Sequence, residues 1–346
     1  MPQFRKDPVV GRWVIIASER ARRPGNFIDI SDNELEDDEQ ECSFCNSQRK
    51  VIYTAERDPS SDLDPTSGSV RVVFSEDSVS ESQKDFQRRE QGLYDVIKGL
   101  GVHEIVIETP EHLANMADLH VNQIRLIFET YAARMRELEK NQQLEYAVVY
   151  KNYGPAAGGR QEGHTRSHIL AAPVWPIRVK EKLIGAKEYY NRNKNCIYCD
   201  LIGQEIKFAK RVVLETEHFI AITPFAARYL FEQWVLPKEH HCDFFHGIKE
   251  REGELAAMMK TLLQKLQYGL DDPAYNFVIQ TDPFRHNNPN AKDWEMLEQG
   301  YHWHIELMPR LTRMAGFEKG TGFYINAIPP EDIAEFLKET KIPWQN

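Results

Sequence analysis

The sequence predicts an α+β fold made of two copies of one domain, residues 1–175 and 176–346, each an antiparallel sheet with packed helices. Three observations carry this. A Cys-x-x-Cys pair occurs once in each half, as Cys42/Cys45 and Cys196/Cys199. Each pair is followed by the same order of unlike segments: a strand, a proline turn ending in histidine, an amphipathic helix, a strand, a loop and a strand. At 346 residues, the chain is long enough for two ordinary domains, each with a core of its own.

In the first half, the acidic run at 34–41 and the Ser/Asp-rich stretch at 58–83 have no sustained period and read as exposed loop. Residues 103–108, His-Glu-Ile-Val-Ile-Glu, alternate as a strand and end at the turn Thr109-Pro110-Glu111-His112. Val121, Ile124, Phe128, Tyr131, Met135 and Leu138 recur at steps of three and four, which predicts a helix to about 140 with that stripe in the core. Residues 146–150 and 164–171 are strand candidates around a Gly-rich loop at 152–163. The second half repeats the order with a strand at 234–236, the turn Pro237-Lys-Glu-His240 and a helix burying Leu255, Met258, Leu262 and Leu266. Strands at 277–279 and 302–307 complete it.

Composition narrows the function. With 41% hydrophobic and 28% charged residues the chain is globular, and a net charge of −10 argues against a nonspecific nucleic-acid binder, which needs a basic face. The first residues lack the apolar core of a signal peptide, and no run reaches the roughly 18 apolar residues of a membrane span, so no membrane partner and a cytoplasmic location are expected. In a reducing compartment Cys-x-x-Cys pairs serve as metal ligands or redox centres rather than structural disulfides. The fifth cysteine, Cys242, reads as a small apolar filler.

Each half offers two thiols and two later imidazoles: Cys42, Cys45, His112 and His164, then Cys196, Cys199, His240 and His302. Cys2His2 is a closed tetrahedral shell for structural zinc, so two zinc sites per chain are expected; His241 could stand in for its neighbour His240. A thioredoxin-like redox pair sits ahead of a helix, and neither pair is followed by a convincing helical period. A single zinc ribbon needs its pairs about 15–20 residues apart, far closer than these are.

Side chains alternate along a strand, so His164, Arg166 and His168 share one face, as do His302, His304 and Glu306. These are the expected chemical faces. A first histidine can anchor the strand through metal while the next imidazole, neutral near pH 7, attacks phosphorus. Asn152 and the backbone of Gly158 and Gly159 could supply phosphate-binding donors. For any one of these histidines a purely structural or metal-binding role competes with catalysis.

At this point the chain resembles the galactose-1-phosphate uridylyltransferase family of the histidine-triad superfamily. The resemblance is carried by residues 5–16, by Cys42-x-x-Cys45, by 103–112, by Tyr301-His-Trp-His-Ile-Glu306 and by 316–326. It implies two histidine-triad-like repeats, zinc, a homodimer, and an exchange in which a histidine takes a nucleotidyl group from a UDP-sugar and passes it to a hexose 1-phosphate. It also implies a substrate-binding set of Asn152, Gly158, Gly159, Tyr324 and Asn326. Some members replace the second zinc site with a different metal site on the paired histidines of the last strand, which His286, His302 and His304 could mimic.

One position departs from the family. Its strand reads His-x-His-x-Gln, with the second histidine as nucleophile, whereas this chain reads His164-Thr-Arg166-Ser-His168. A guanidinium stays protonated and has no lone pair to give, so Arg166 can bind phosphate but cannot form the covalent intermediate. Three readings follow: a nucleotidyltransferase in which His168 or His304 attacks, a nucleotide-sugar-binding pseudoenzyme whose Arg166 clamps the diphosphate, or a structural protein that keeps fold and zinc.

Overall fold

The computed structural model describes residues 2–17, 44, 50–56, 68–75, 88–97, 101–112, 115–159, 164–285 and 297–343. Its strands are β1 (Gln3–Lys6), β2 (Trp13–Ile16), β3 (Val51–Ala55), β4 (Val70–Phe74), β5 (Arg88–Gln91), β6 (Tyr94–Ile97), β7 (Val102–Ile107), β8 (Tyr146–Tyr153), β9 (Arg166–Ala172), β10 (Val212–Glu215), β11 (Phe219–Ile222), β12 (Gln233–Pro237), β13 (Tyr275–Gln280), β14 (His304–Pro309) and β15 (Tyr324–Asn326). The helices are α1 (Val121–Glu139), α2 (Ile177–Asn193), α3 (Ile197–Phe208), α4 (Phe244–Gly247), α5 (Glu252–Leu270), α6 (Gly316–Thr321) and α7 (Pro330–Glu339). The fold is α+β, as the pattern predicts.

Ten strands form one sheet in the order β10-β11-β12-β14-β13-β8-β9-β7-β4-β3. From edge to centre the first half supplies β3-β4-β7-β9-β8 and the second β10-β11-β12-β14-β13, and the two halves meet at the antiparallel pair β8 and β13. On one face α1 and α5 pack against each other over both halves. Their apolar stripes explain why: Ile124, Phe128, Tyr131 and Met135 of α1 and Leu255 and Leu262 of α5 are fully buried with the inward residues Val149, Ile169, Phe277 and Ile305 of the sheet. On the other face α2 and α3 cover the second half, with Val179, Leu183, Ile197 and Ile202 against Ile220, Ile222 and Trp234.

The N-terminal segment belongs by contact to the second half. β2 pairs in parallel with β15, and Val14 and Ile16 pack with Tyr229, Met308 and Tyr324. Gly185 of α2 allows the close approach of this segment, since a Cβ there would stand 1.8 Å from the Val9 carbonyl oxygen.

Two expectations are corrected. The stretch at 58–83 contains β4, whose Val70, Val72 and Val73 are buried; the β-branched run overrides its Ser/Asp-rich surroundings because it pairs between β3 and β7. A helix does follow the second thiol pair: Cys196 is the N-cap of α3 and Cys199 lies in its first turn. The absence of a helix therefore cannot exclude redox chemistry at this pair. The acidic run 34–41, Cys42, Cys45 and His286 lie outside the described residues.

Candidate metal centre and phosphate-facing strand

Cys196, Cys199, His240 and His302 converge, with one donor atom from each lying within 4.8 Å of the others. α3 brings the thiols, the turn after β12 brings His240, and the residue pair leading into β14 brings His302. The Cys199 Sγ lies 3.3 Å from His240 Nδ1 and 3.6 Å from His302 Nδ1. Metal bonds of about 2.3 Å to sulfur and 2.0 Å to nitrogen, arranged tetrahedrally, put S and N about 3.5 Å apart, so the spacing suits a four-coordinate ion. The far ring nitrogens are held by main-chain oxygens, His240 Nε2 at 2.8 Å from Glu298 O and His302 Nε2 at 2.8 Å from Pro237 O. Such partners orient imidazole ligands. Electrostatics agree: the Cys196 thiol, followed by His240 and His302, holds the Cys199 thiol below its ordinary value, and the same pairing pushes Cys196 up. Burial keeps His302 neutral by lowering it.

The imidazoles of the first half repeat this geometry. The rings of His112 and His164 are edge-to-face at 5.3 Å and 85°, against 5.3 Å and 81° for His240 and His302. His164 Nδ1 is 3.1 Å from Thr109 O, a carbonyl three residues before His112; in the second half the carbonyl three before His240, Pro237 O, meets the other ring nitrogen, His302 Nε2. Burial, then His112 and Arg71, lowers the His164 imidazole, which suits a neutral ligand.

Beyond each anchoring histidine the strands differ in chemistry. The residues Ile105, His168, Tyr150, Val278, Glu306 and Trp234 are in register as one row across the sheet centre. Arg166 and His168 lie on the same face of β9, both partly exposed, while Ser167 and Ile169 point to the α1 side. His168 Nδ1 lies 3.1 Å from His103 Nε2 of β7, and its ring stacks on Tyr150 of β8 at 5.0 Å and 15°. The Arg166 guanidinium sits over the Phe44 ring at 5.2 Å. Beneath the strand, fully buried Lys151 reaches Glu108 (2.6 Å), Thr165 Oγ1 (2.7 Å) and the Arg166 carbonyl (3.1 Å), and Tyr131 donates to Ser167 Oγ at 2.6 Å.

Asn152 closes this site on the loop side. Its Oδ1 accepts from Asn276 Nδ2 at 2.7 Å, which also donates to Ala157 O at 2.9 Å. Gly158 has φ +80°, and at Gly159 a Cβ would press at 3.0 Å on the Asn152 carbonyl oxygen and on Gly154. Both glycines are therefore required by the turn that presents the loop backbone beside Asn152.

Three of the expected site residues are buried. His304 is fully buried, its Nδ1 lies 3.0 Å from His302 O and its Nε2 3.1 Å from Lys182 Nζ. Burial and Lys182 lower it to about 4, so it serves as a neutral member of a buried network in which Arg228 and Lys182 hold Glu306 ionised despite burial. Asn326 is 1% exposed and spends its amide on Ala227 O and Tyr229 O and its Oδ1 on the Ile328 N–H, contacts that brace the chain. Tyr324 is buried against Tyr229 at 5.6 Å. Pattern reading missed Lys182, which sits on α2 with no motif to mark it. Among the described residues a further metal-like group, Cys242, Asp243 and Asp282, is taken up by Arg285, whose guanidinium reaches Cys242 Sγ at 2.7 Å and Asp282 Oδ2 at 3.3 Å.

Comparison with known proteins agrees with this arrangement. The sequence profile of the galactose-1-phosphate uridyl transferase N-terminal domain matches residues 1–247, and that of the C-terminal domain matches 183–323. The chain is 33% identical to an ADP-glucose phosphorylase of Arabidopsis thaliana, over 99% of this chain and 93% of the relative. It is 26% identical to a galactose-1-phosphate uridylyltransferase of Thermotoga maritima, over 99% of both. The crystal structure of the Arabidopsis thaliana ADP-glucose phosphorylase with bound ADP-glucose superposes with a TM-score of 0.77, covering 99% of this chain and all of that one. Profiles of both halves, near-complete coverage and a shared fold place the chain in the galactose-1-phosphate uridyl transferase family.

Proposed function

We propose that this chain is a hexose-1-phosphate nucleotidyltransferase in which His168 is the nucleophile and Arg166 binds the phosphate under attack. One observation carries the choice: of the two candidate imidazoles, His168 alone lies on a partly exposed face of its strand, and His103 and Tyr150 fix its ring. An imidazole oriented through Nδ1 attacks through Nε2. The N–P bond forms as the bond from the α-phosphorus to the bridging oxygen breaks, and hexose 1-phosphate leaves with that oxygen. A phosphate oxygen of the acceptor, a hexose 1-phosphate or inorganic phosphate, then displaces His168 and restores its lone pair. Arg166 neutralises charge on the non-bridging oxygens throughout.

The nucleotide sugar is a UDP- or ADP-hexose, in line with the relatives named for either chemistry. The chain is read as two histidine-triad-like repeats, 1–175 and 176–346, supported by the common strand order of its halves. Each repeat would hold one zinc, by Cys42, Cys45, His112 and His164 and by Cys196, Cys199, His240 and His302, to pin the start of its chemical strand. A homodimer is the expected assembly. A second reading, a nucleotide-sugar binder without turnover, is favoured by the single fact that Arg166 stands at the family's nucleophile position.

The test is incubation with UDP-glucose or ADP-glucose labelled at the α-phosphate. Label should stay on the protein after acid-free denaturation and be lost in His168→Ala. Arg166→His combined with His168→Gln should move it to position 166, as peptide mapping would detect. Calorimetric binding of either nucleotide sugar with no label in any variant would replace the transferase with the binder.

A further inference from the structure

Two metal arrangements compete for the histidines at the start of β14. One is the group Cys196, Cys199, His240 and His302; the other, present in some members of the family, uses the paired histidines of the last strand, here His302 and His304. The geometry separates that pair. His302 turns Nδ1 to Cys199 Sγ at 3.6 Å and Nε2 to Pro237 O at 2.8 Å, so both of its nitrogens are committed. Among the described residues His304 belongs to no group of three or more converging donors. A carbonyl only accepts, so the 3.0 Å contact of His304 Nδ1 with His302 O puts the ring proton on Nδ1 and the lone pair on Nε2.

That lone pair meets an ammonium. Lys182 Nζ lies 3.1 Å from His304 Nε2 and 2.7 Å from Glu306 Oε1, and the two acceptors are 3.8 Å apart. An imidazole and a carboxylate on one ion, each about 2.1 Å from it, stand roughly 3.0–3.5 Å apart, so the ammonium takes the place between two donors that a metal ion would take. The Trp234 ring lies 5.9 Å from Nζ, and Trp234 and Tyr198 flank the His304 ring at 5.3 and 5.0 Å. Charge is already balanced: buried Lys182 and Arg228 face buried Glu306 and Glu232, with Arg228 2.9 Å from Glu306 and 2.8 Å from Glu232. A divalent ion added to this neutral set would bring uncompensated buried charge, which is costly. Without the ammonium, the set is one charge negative, and His304 Nε2 and Glu306 Oε1 are two open ligands.

We infer that Lys182 is a resident cation: its ammonium fills the metal position between His304 and Glu306, so the paired-histidine metal site does not fit this chain, and removal of the lysine opens it to an ion of the cobalt, iron or zinc class. The inference is independent of the roles of Arg166 and His168 and of zinc at the thiols.

Cobalt titration of the full-length protein, read by visible absorption and by elemental analysis after gel filtration, tests it. Unaltered protein and His304→Gln should take up the same number of ions. Lys182→Glu, which exchanges the ammonium for a third ligand, should take up one more per chain. Its added absorption should be the weak bands of nitrogen and oxygen ligands without further thiolate charge transfer, and should vanish when His304→Gln is combined with it. Lys182→Met, close in size and neutral, should hold the added ion at least about ten-fold more weakly than Lys182→Glu, having one ligand fewer. A lower cobalt content in His304→Gln than in unaltered protein would overturn the inference, since His304 would then be a ligand beside an intact Lys182. Folded Lys182→Glu and Lys182→Met proteins that take up no added ion would overturn it equally. Circular dichroism checks the fold, and if the Lys182 variants do not fold, the comparison of unaltered protein with His304→Gln still decides.

Discussion

Lys151 shows how β9, the strand of Arg166 and His168, is held from behind. It is 1% exposed, and its ammonium is surrounded by the Glu108 carboxylate, the Thr165 hydroxyl and the Arg166 carbonyl. Burial lowers its pKa and Glu108 works in the opposite direction, which is the balance of a paired buried charge. Breaking such a pair from one side leaves a carboxylate in an apolar surrounding. Lys151→Met should therefore cost about 3–5 kcal/mol in urea unfolding, while the double change with Glu108→Gln should recover a large part of it. A loss under about 1 kcal/mol for the single change would mean that water reaches Glu108. The strand's function depends on this device because the Arg166 main chain, and so the reach of its guanidinium, is tied to Lys151. No spacing rule marks Lys151 in the sequence, since it is the one charged residue of β8.

At the level of elements, α1 and α5 were the most legible parts of the chain. Their stripes at steps of three and four survive as buried faces, with Val121 partly buried at the edge, and α1 ends within a residue of the expected limit. β4 and α3 were not legible for opposite reasons. β4 is five residues long and lies in a polar stretch, so it becomes a strand only through pairing on both sides. α3 opens on the thiols, and its buried Ile197, Tyr198 and Ile202 span too few turns to announce a period. In the candidate site the convergence of His240 and His302 on Cys196 and Cys199 was legible from motif and spacing, whereas Arg178, Lys182 and Arg310 come together only through sheet register and the placement of α2. The α1–α5 contact joins the two halves, and Phe128, fully buried and 6.5 Å ring to ring from Phe244, lies beside it. Phe128→Ala should destabilise the protein by about 3–5 kcal/mol through lost burial and a residual cavity. Denaturant melts followed by fluorescence and by circular dichroism should still coincide. Separation of the two curves would mean that the halves have distinct cores.

For the whole molecule, the ten-stranded sheet and the shared helical layer make the candidate metal centre matter beyond its own loops. Cys196, Cys199, His240 and His302 join α3, the turn after β12 and the entry to β14, three segments that touch different parts of the second half. An ion there would offset the entropy of ordering all three at once, and β14 would hand that order to β13 and, across the centre, to β8. Loss of the ion should therefore be felt as lower stability of the entire sheet. Cys199→Ser should remove one zinc per chain by elemental analysis and lower the single thermal transition by roughly 5–10 °C, with a chelator shifting the unaltered protein in the same direction. The sign also follows from the thiol chemistry. The Cys199 thiol is held below its ordinary value by Cys196, His240 and His302, so the thiolate form that a metal needs is already favoured in the folded chain, and serine cannot supply it. Unchanged zinc content and an unchanged transition in Cys199→Ser would remove the metal from the account. The convergence of the four side chains would then be a packing feature, held by the main-chain contacts of His240 and His302 and the contacts of Cys199 Sγ with both rings.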